Sequence, residues 1–198
     1  MDLKSAPELR LFLGIDLPTE MRHSLESYTR RHAGLPGIRW TATENLHLTT
    51  VFLGNVATEM LPNLVSLLQV ALRDIPPFEM RFARIRLAPK ARDPHMIWAQ
   101  FEKQETWLRA VRQVHALYEQ IQPQGEGERR NSPIPHITLA RLRPYCEIKQ
   151  LNLGFFPDPT VLPVREMILW QSELSPAGAQ YTVVERLGLG ANFPEKSG

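Results

Sequence analysis

The pattern His-x-Thr occurs twice in this chain, as His47-Leu48-Thr49 and His136-Ile137-Thr138, 89 residues apart, and both copies sit in apolar runs of strand length. Alternate side chains of a strand share a face. His47 therefore shares a face with Thr49, and His136 with Thr138. A core strand has no packing reason to carry an imidazole and a hydroxyl side by side, and two strands doing so points to one site built twice.

The same offset aligns more of the chain. It lays Phe12 on Phe101, the helix expected after Pro18 on the helix expected after Trp107, and the run 78–88 on 167–177. The pattern predicts a duplicated strand-helix-strand-helix-strand unit, with repeats over roughly 9–90 and 95–190 of a single domain spanning 1–198. Apolar runs mark strands at 9–16, 46–54, 78–88, 96–102, 134–142, 165–174 and 181–189. Helical spacing marks 58–73, 106–122 and a stretch opened by Pro18 and closed by Gly34, where Met21, Leu25 and Tyr28 fall on one side. A short helical stretch is expected near 146–153. If the halves are related by a pseudo-two-fold axis, both His-Thr pairs point into one cleft.

Two imidazoles facing one another across a cleft suit a phosphodiester. In-line displacement at phosphorus needs a base on the attacking oxygen and an acid on the leaving oxygen, on opposite sides. Histidine titrates closest to neutral pH and can serve as either. Threonine hydroxyls can donate to the non-bridging oxygens, where charge accumulates. This chemistry asks for no metal and no cofactor. No histidine pair has the spacing of a metal site, and the single cysteine, Cys146, excludes an intrachain disulfide and a cysteine-based zinc site. The N-terminal segment lacks a secretory leader, no apolar stretch approaches a membrane span, and a cytoplasmic protein is expected. A formal net charge of +2 permits an anionic ligand without implying a long nucleic-acid track.

The paired motifs, with RLFLGIDLP, IRWTATENLHLT, PHITLAR and the late Ser172, Leu174, Gly178, Tyr181 pattern, resemble the 2H phosphoesterase superfamily. Within it they are similar to the RNA 2',3'-cyclic phosphodiesterase branch, also called 2'-5' RNA ligase. The resemblance runs from about residue 9 to about 188. It implies an α+β fold of two pseudo-symmetric lobes, with antiparallel sheets around a central cleft and helices outside. It implies hydrolysis of RNA 2',3'-cyclic phosphate ends to 2'-phosphates, with reversible 2'-5' ligation, and RNA ends or short oligonucleotides as partners of a monomer. His47 would be the acid and His136 the base, with Thr49 and Thr138 on the phosphate. The sequence does not orient the substrate, so the two labels can be exchanged. The position after Thr49 is usually apolar in this family, and here it is Thr50, which is expected to alter local packing alone. A small cyclic nucleotide or cyclic ADP-ribose phosphate as substrate, or a non-catalytic RNA-binding module of the same fold, are the alternatives.

Four further residues are candidates for substrate contact. Arg141 closes PHITLAR; regular alternation puts it opposite His136, and only a twist or bulge would bring it to the cleft. Trp40 and Phe52 flank the first motif and could stack on a base, although alternation turns Phe52 away from His47. Arg130, with Arg129, lies in the polar loop 125–133 just before the second motif. Trp98, Trp107 and Trp170 read as packing residues. His115 reads as a boundary residue of a helix, and His23, His32 and His95 as surface or loop residues. Arg84 and Arg86 share one face of their strand, which reads as a solvated face.

Overall fold

The structure is a computed structural model, and it describes residues 7–121, 133–144, 146–175 and 178–190. β1 (Glu8–Ile15) leads to α1 (Thr19–Arg31), β2 (Ile38–Trp40), a 3-10 turn (Thr43–Asn45), β3 (Leu48–Ala57) and a second 3-10 turn (Thr58–Met60). After α2 (Leu61–Arg73) and β4 (Phe78–Lys90), β5 (Asp93–Phe101), α3 (Glu105–Ile121) and β6 (His136–Leu142) repeat the strand-helix-strand order. β7 (Val161–Val164), β8 (Glu166–Ser175) and β9 (Gly178–Gly188) complete the described chain. The mixed α+β class and its antiparallel sheet agree with the sequence. The expected helix near 146–153 is absent among the described residues; the segment turns instead, with Leu151 N–H donating to the Ile148 carbonyl at 3.1 Å. Asn152 and Gly154 favour a turn over a helix at that point.

The strands form a nine-stranded sheet in the order β7-β4-β5-β6-β3-β1-β8-β9, with β2 also on β6, and the recorded pairings are antiparallel. β4 ends the first repeat but pairs with β5 of the second, and β8 pairs with β1 of the first. The repeats are thus interlocked, and each half-sheet takes strands from both. The helices cover one face. Met21, Leu25 and Tyr28 of α1, Leu64, Leu68 and Leu72 of α2, and Trp107, Val111, Val114 and Tyr118 of α3 are buried with Leu11, Leu13 and Ile15 of β1. Burying such side chains contributes roughly 1.5–3 kcal/mol each and leaves the opposite face of the sheet free to form a cleft. No helix among the described residues is long and apolar enough to cross a membrane.

The two halves meet where β3 joins β6, and the residues paired there are Leu48 and Ile137. They are the middle residues of the two His-x-Thr motifs, so the approximate two-fold axis passes between them. The irregularities match as well. Between β1 and β3 the register passes from Leu13–Val51 to Gly14–Thr49 and skips Thr50. Between β5 and β6 it passes from Ile97–Ala140 to Trp98–Thr138 and skips Leu139. Thr50 and Leu139 are again 89 residues apart. Each motif strand therefore carries a β-bulge one residue past its threonine, and β3 has a further irregularity where its register with β1 skips Leu53.

Candidate active site

Both histidines are held in the same way. The Nδ1 of His47 lies 2.8 Å from the Asn45 carbonyl oxygen, and the Nδ1 of His136 lies 2.7 Å from the Ile134 carbonyl oxygen. A carbonyl only accepts, so Nδ1 carries the hydrogen in each ring and Nε2 is left to accept or bind a proton. In His47 that Nε2 is 2.9 Å from Thr49 Oγ1. Around the Leu48–Ile137 pair, antiparallel register sets His47 across from Thr138 and Thr49 across from His136. Arg22 secures the turn before His47 by donating to the Thr43 carbonyl at 2.6 Å and the Leu46 carbonyl at 3.2 Å, and it pairs with Asp16. Asn45 Nδ2 donates to the Ala179 carbonyl at 2.7 Å and ties that turn to β9.

The ring environments then diverge. His47 packs among aromatic rings: Phe12 at 4.8 Å between centroids, Tyr181 edge-on at 5.1 Å and Trp170 at 5.6 Å. Burial lowers its pKa to about 4; the Asn45 carbonyl and Asp16 oppose this, while His136 and Arg22 add to it. His136 instead lies flat on Trp98, with centroids 3.7 Å apart and planes 19° from parallel. The cause of the difference is one strand position. Gly14 pairs with Thr49 where Trp98 pairs with Thr138. A Cβ on Gly14 would meet the Leu48 carbonyl oxygen at 2.8 Å and the Trp170 ring at 3.0 Å. Trp98 and Trp170 are buried, as expected of packing residues, but their rings also border the two histidines. Trp107, near the start of α3, points into the core.

The bulges decide where Phe52 and Arg141 point. Thr50 and Val51 are both buried, as are Leu139 and Ala140, so alternation slips by one residue in each strand. Phe52 is consequently 45% exposed and lines a cavity of about 1010 Å³ with His47, Thr49, Thr138 and Arg141. The expectation that Phe52 turns away from His47 is corrected: regular alternation does not survive the bulge. Arg141 reaches the cleft for the same reason. His136, two residues before Thr138 on the same face, stands beside this cavity, close enough to depress the proton affinity of His47.

Trp40 also lines the cavity, but it is anchored by Nε1 donating to the His32 carbonyl at 3.3 Å and by edge packing on Tyr28. His32 lies in the turn after α1, as expected of a loop residue, and is held there: its Nδ1 is 2.8 Å from the Tyr28 carbonyl oxygen, and its Nε2 accepts from Asn152 N–H at 3.3 Å. His23 and His95 are exposed, and His115 is partly buried on α3. Arg86 is engaged by the Pro89 carbonyl at 2.9 Å and lies over Trp98 at 5.9 Å, while Arg84 is exposed. Arg129 and Arg130 lie outside the described residues. Among the described residues no three His, Cys, Asp or Glu side chains cluster as a metal site requires. Sequence reasoning missed Arg10, Arg39 and Phe12, and assigned no position to Tyr181; all four line the cavity. Their placement depends on strand partners, which the local pattern does not encode.

A family model described as LigT like phosphoesterase matches residues 15–98. The chain is 32% identical over 187 residues to a Thermus thermophilus protein named RNA 2',3'-cyclic phosphodiesterase, covering 91% of this chain and 90% of the relative. Among solved structures, a Thermus thermophilus protein superposes with a TM-score of 0.79 at 30% identity, over 91% of this chain and 98% of that one. Escherichia coli LigT without ligand superposes with a TM-score of 0.74 at 25% identity, over 93% and 99%.

Proposed function

Because this chain belongs to the LigT-like phosphoesterases, the 2H phosphoesterase family, we propose that its cleft hydrolyses the 2',3'-cyclic phosphate at an RNA end and leaves a 2'-phosphate. The observation that carries the reading is the matched pair of imidazoles, each with Nδ1 held by the carbonyl two residues back, which leaves Nε2 as the nitrogen for proton transfer. In the proposed step His136 Nε2 takes a proton from water as the water oxygen bonds to phosphorus. The bond from phosphorus to O3' breaks, and His47 Nε2–H gives its proton to that oxygen. The product is a 2'-phosphomonoester with a free 3'-hydroxyl, and the histidines regain their starting states by exchange with solvent. Thr49 and Thr138 donate to the non-bridging oxygens, and Arg141 balances their charge. Phe52 offers an exposed ring to the terminal base. The step needs no metal. With a 5'-hydroxyl in place of water, the same proton transfers join a 2'-5' linkage.

Incubating the protein in EDTA with an RNA ending in a 2',3'-cyclic phosphate tests this reading. The expected product is the 2'-phosphate. A 3'-phosphate product would reverse the leaving group, and loss of activity on chelation would remove the metal-free step.

A further inference from the structure

The cavity is larger than a cyclic nucleotide requires. Its volume of about 1010 Å³ stands at the upper limit of the roughly 300–1,000 Å³ that encloses one drug-sized ligand. Its charge is also one-sided. Arg10 from β1 and Arg39 from β2 line it together with Arg141, and Glu44 is the only carboxylate in its described wall. Arg10 and Arg39 are exposed, and neither has an ion pair or hydrogen bond to a described residue. Unpaired cations on a cleft wall are costly neighbours for one another unless an anion joins them. Neither is a strand partner of His47 or His136: Arg10 pairs with Asn55, and Arg39 pairs with Arg141. Arg39 reaches the β8–β9 hairpin, where its guanidinium would lie 3.6 Å from a Cβ placed on Gly178. Arg10 lines the same cavity as Tyr181, whose pKa burial raises while the charges of Arg141 and then Arg10 oppose the rise. Leu174, 71% exposed, adds an apolar surface at the hairpin side of the cavity, away from Phe52 on β3.

From this arrangement we infer that the cleft contains a second, upstream subsite, in which Arg10 and Arg39 hold the internal phosphates of a single-stranded RNA end and Leu174 supports a penultimate base. The preferred substrate is then an oligonucleotide of two or more residues, not a mononucleoside cyclic phosphate. The inference rests on the cyclic phosphodiesterase reading but concerns residues that the hydrolytic step does not use.

The test compares kcat/KM on cytidine 2',3'-cyclic phosphate with kcat/KM on a trinucleotide ending in the same group. The wild type is expected to prefer the trinucleotide at least tenfold. In Arg10→Ala and Arg39→Ala that preference falls about fivefold or more, through KM. The slope of log kcat/KM against log salt for the trinucleotide becomes shallower by about 0.7 per lost contact, or about 1.4 in the double variant. Equal use of both substrates by the wild type, or a preference and salt slope unchanged in the double variant, overturns the upstream subsite. Failure of the wild type to hydrolyse either substrate overturns the phosphodiesterase reading itself.

Discussion

Binding an anion in this cleft should draw a proton from solvent onto His47. In the empty site the pKa of His47 is lowered to about 4, chiefly by burial. Carrying the proton near neutral pH then costs about 4 kcal/mol, at roughly 1.4 kcal/mol per unit. A phosphodiester monoanion about 4 Å away returns roughly 4 kcal/mol at an effective dielectric of about 20. The two terms balance, which places the pKa of the occupied site close to 7. Proton uptake on binding should therefore approach one per ligand near pH 5.5, midway between the two values, and fall to about half by pH 7. The assay is calorimetric titration with a deoxydinucleoside monophosphate, which has a fixed charge and lacks the 2'-hydroxyl needed for cyclisation. Measurements in two buffers of different ionisation enthalpy give the proton count. His47→Asn should abolish most of the uptake. No uptake by the wild type, or the same uptake in His47→Asn, refutes the reasoning, the second outcome by showing that a group other than His47 takes the proton.

Three substitutions test the surrounding geometry. The Thr50 hydroxyl is buried without a hydrogen-bond partner among the described residues, so Thr50→Val should stabilise the protein by about 1 kcal/mol, read as a rise of roughly 2–4 °C in Tm; a lower Tm would show that the hydroxyl is satisfied. Gly14→Ala should destabilise by about 1–3 kcal/mol through overpacking and slow turnover, because the new methyl meets the Leu48 carbonyl and the Trp170 ring beside His47; a Tm within 1 °C of wild type, within the scatter of a change of a few tenths of a kcal/mol, would contradict the tight approach. Phe52→Ala should raise the KM for an RNA end about tenfold, from the roughly 1–3 kcal/mol of lost base stacking, with kcat and Tm little changed; an unchanged KM would remove Phe52 from the substrate.

The local pattern carried the two motifs because each pair spans only three residues of one strand, where a period of two is reliable. It placed the helices of the core face for a similar reason: Met21, Leu25 and Tyr28 are neighbours on one turn-by-turn stripe. It failed at Phe52 because one skipped residue, Thr50, shifts the alternation just before it. Nothing in Thr50-Val51 distinguishes a bulge from a regular strand before its partner is known. The crossing of β4 and β8 into opposite half-sheets was equally hidden, since it is decided by pairing between distant segments. Arg10 and Tyr181 line one cavity because β8 and β9 pack beside β1.

The central claim is that His47 and His136 act as an acid–base pair, and the most direct measurement is the rate of RNA 2',3'-cyclic phosphate hydrolysis by His47→Ala and His136→Ala. Each substitution is predicted to lower kcat by about 10²–10⁴-fold, with the double variant little worse than either single one, because both protons move in one step. Either single variant retaining activity within about tenfold of wild type, below the range expected for a general acid or base, would contradict the account.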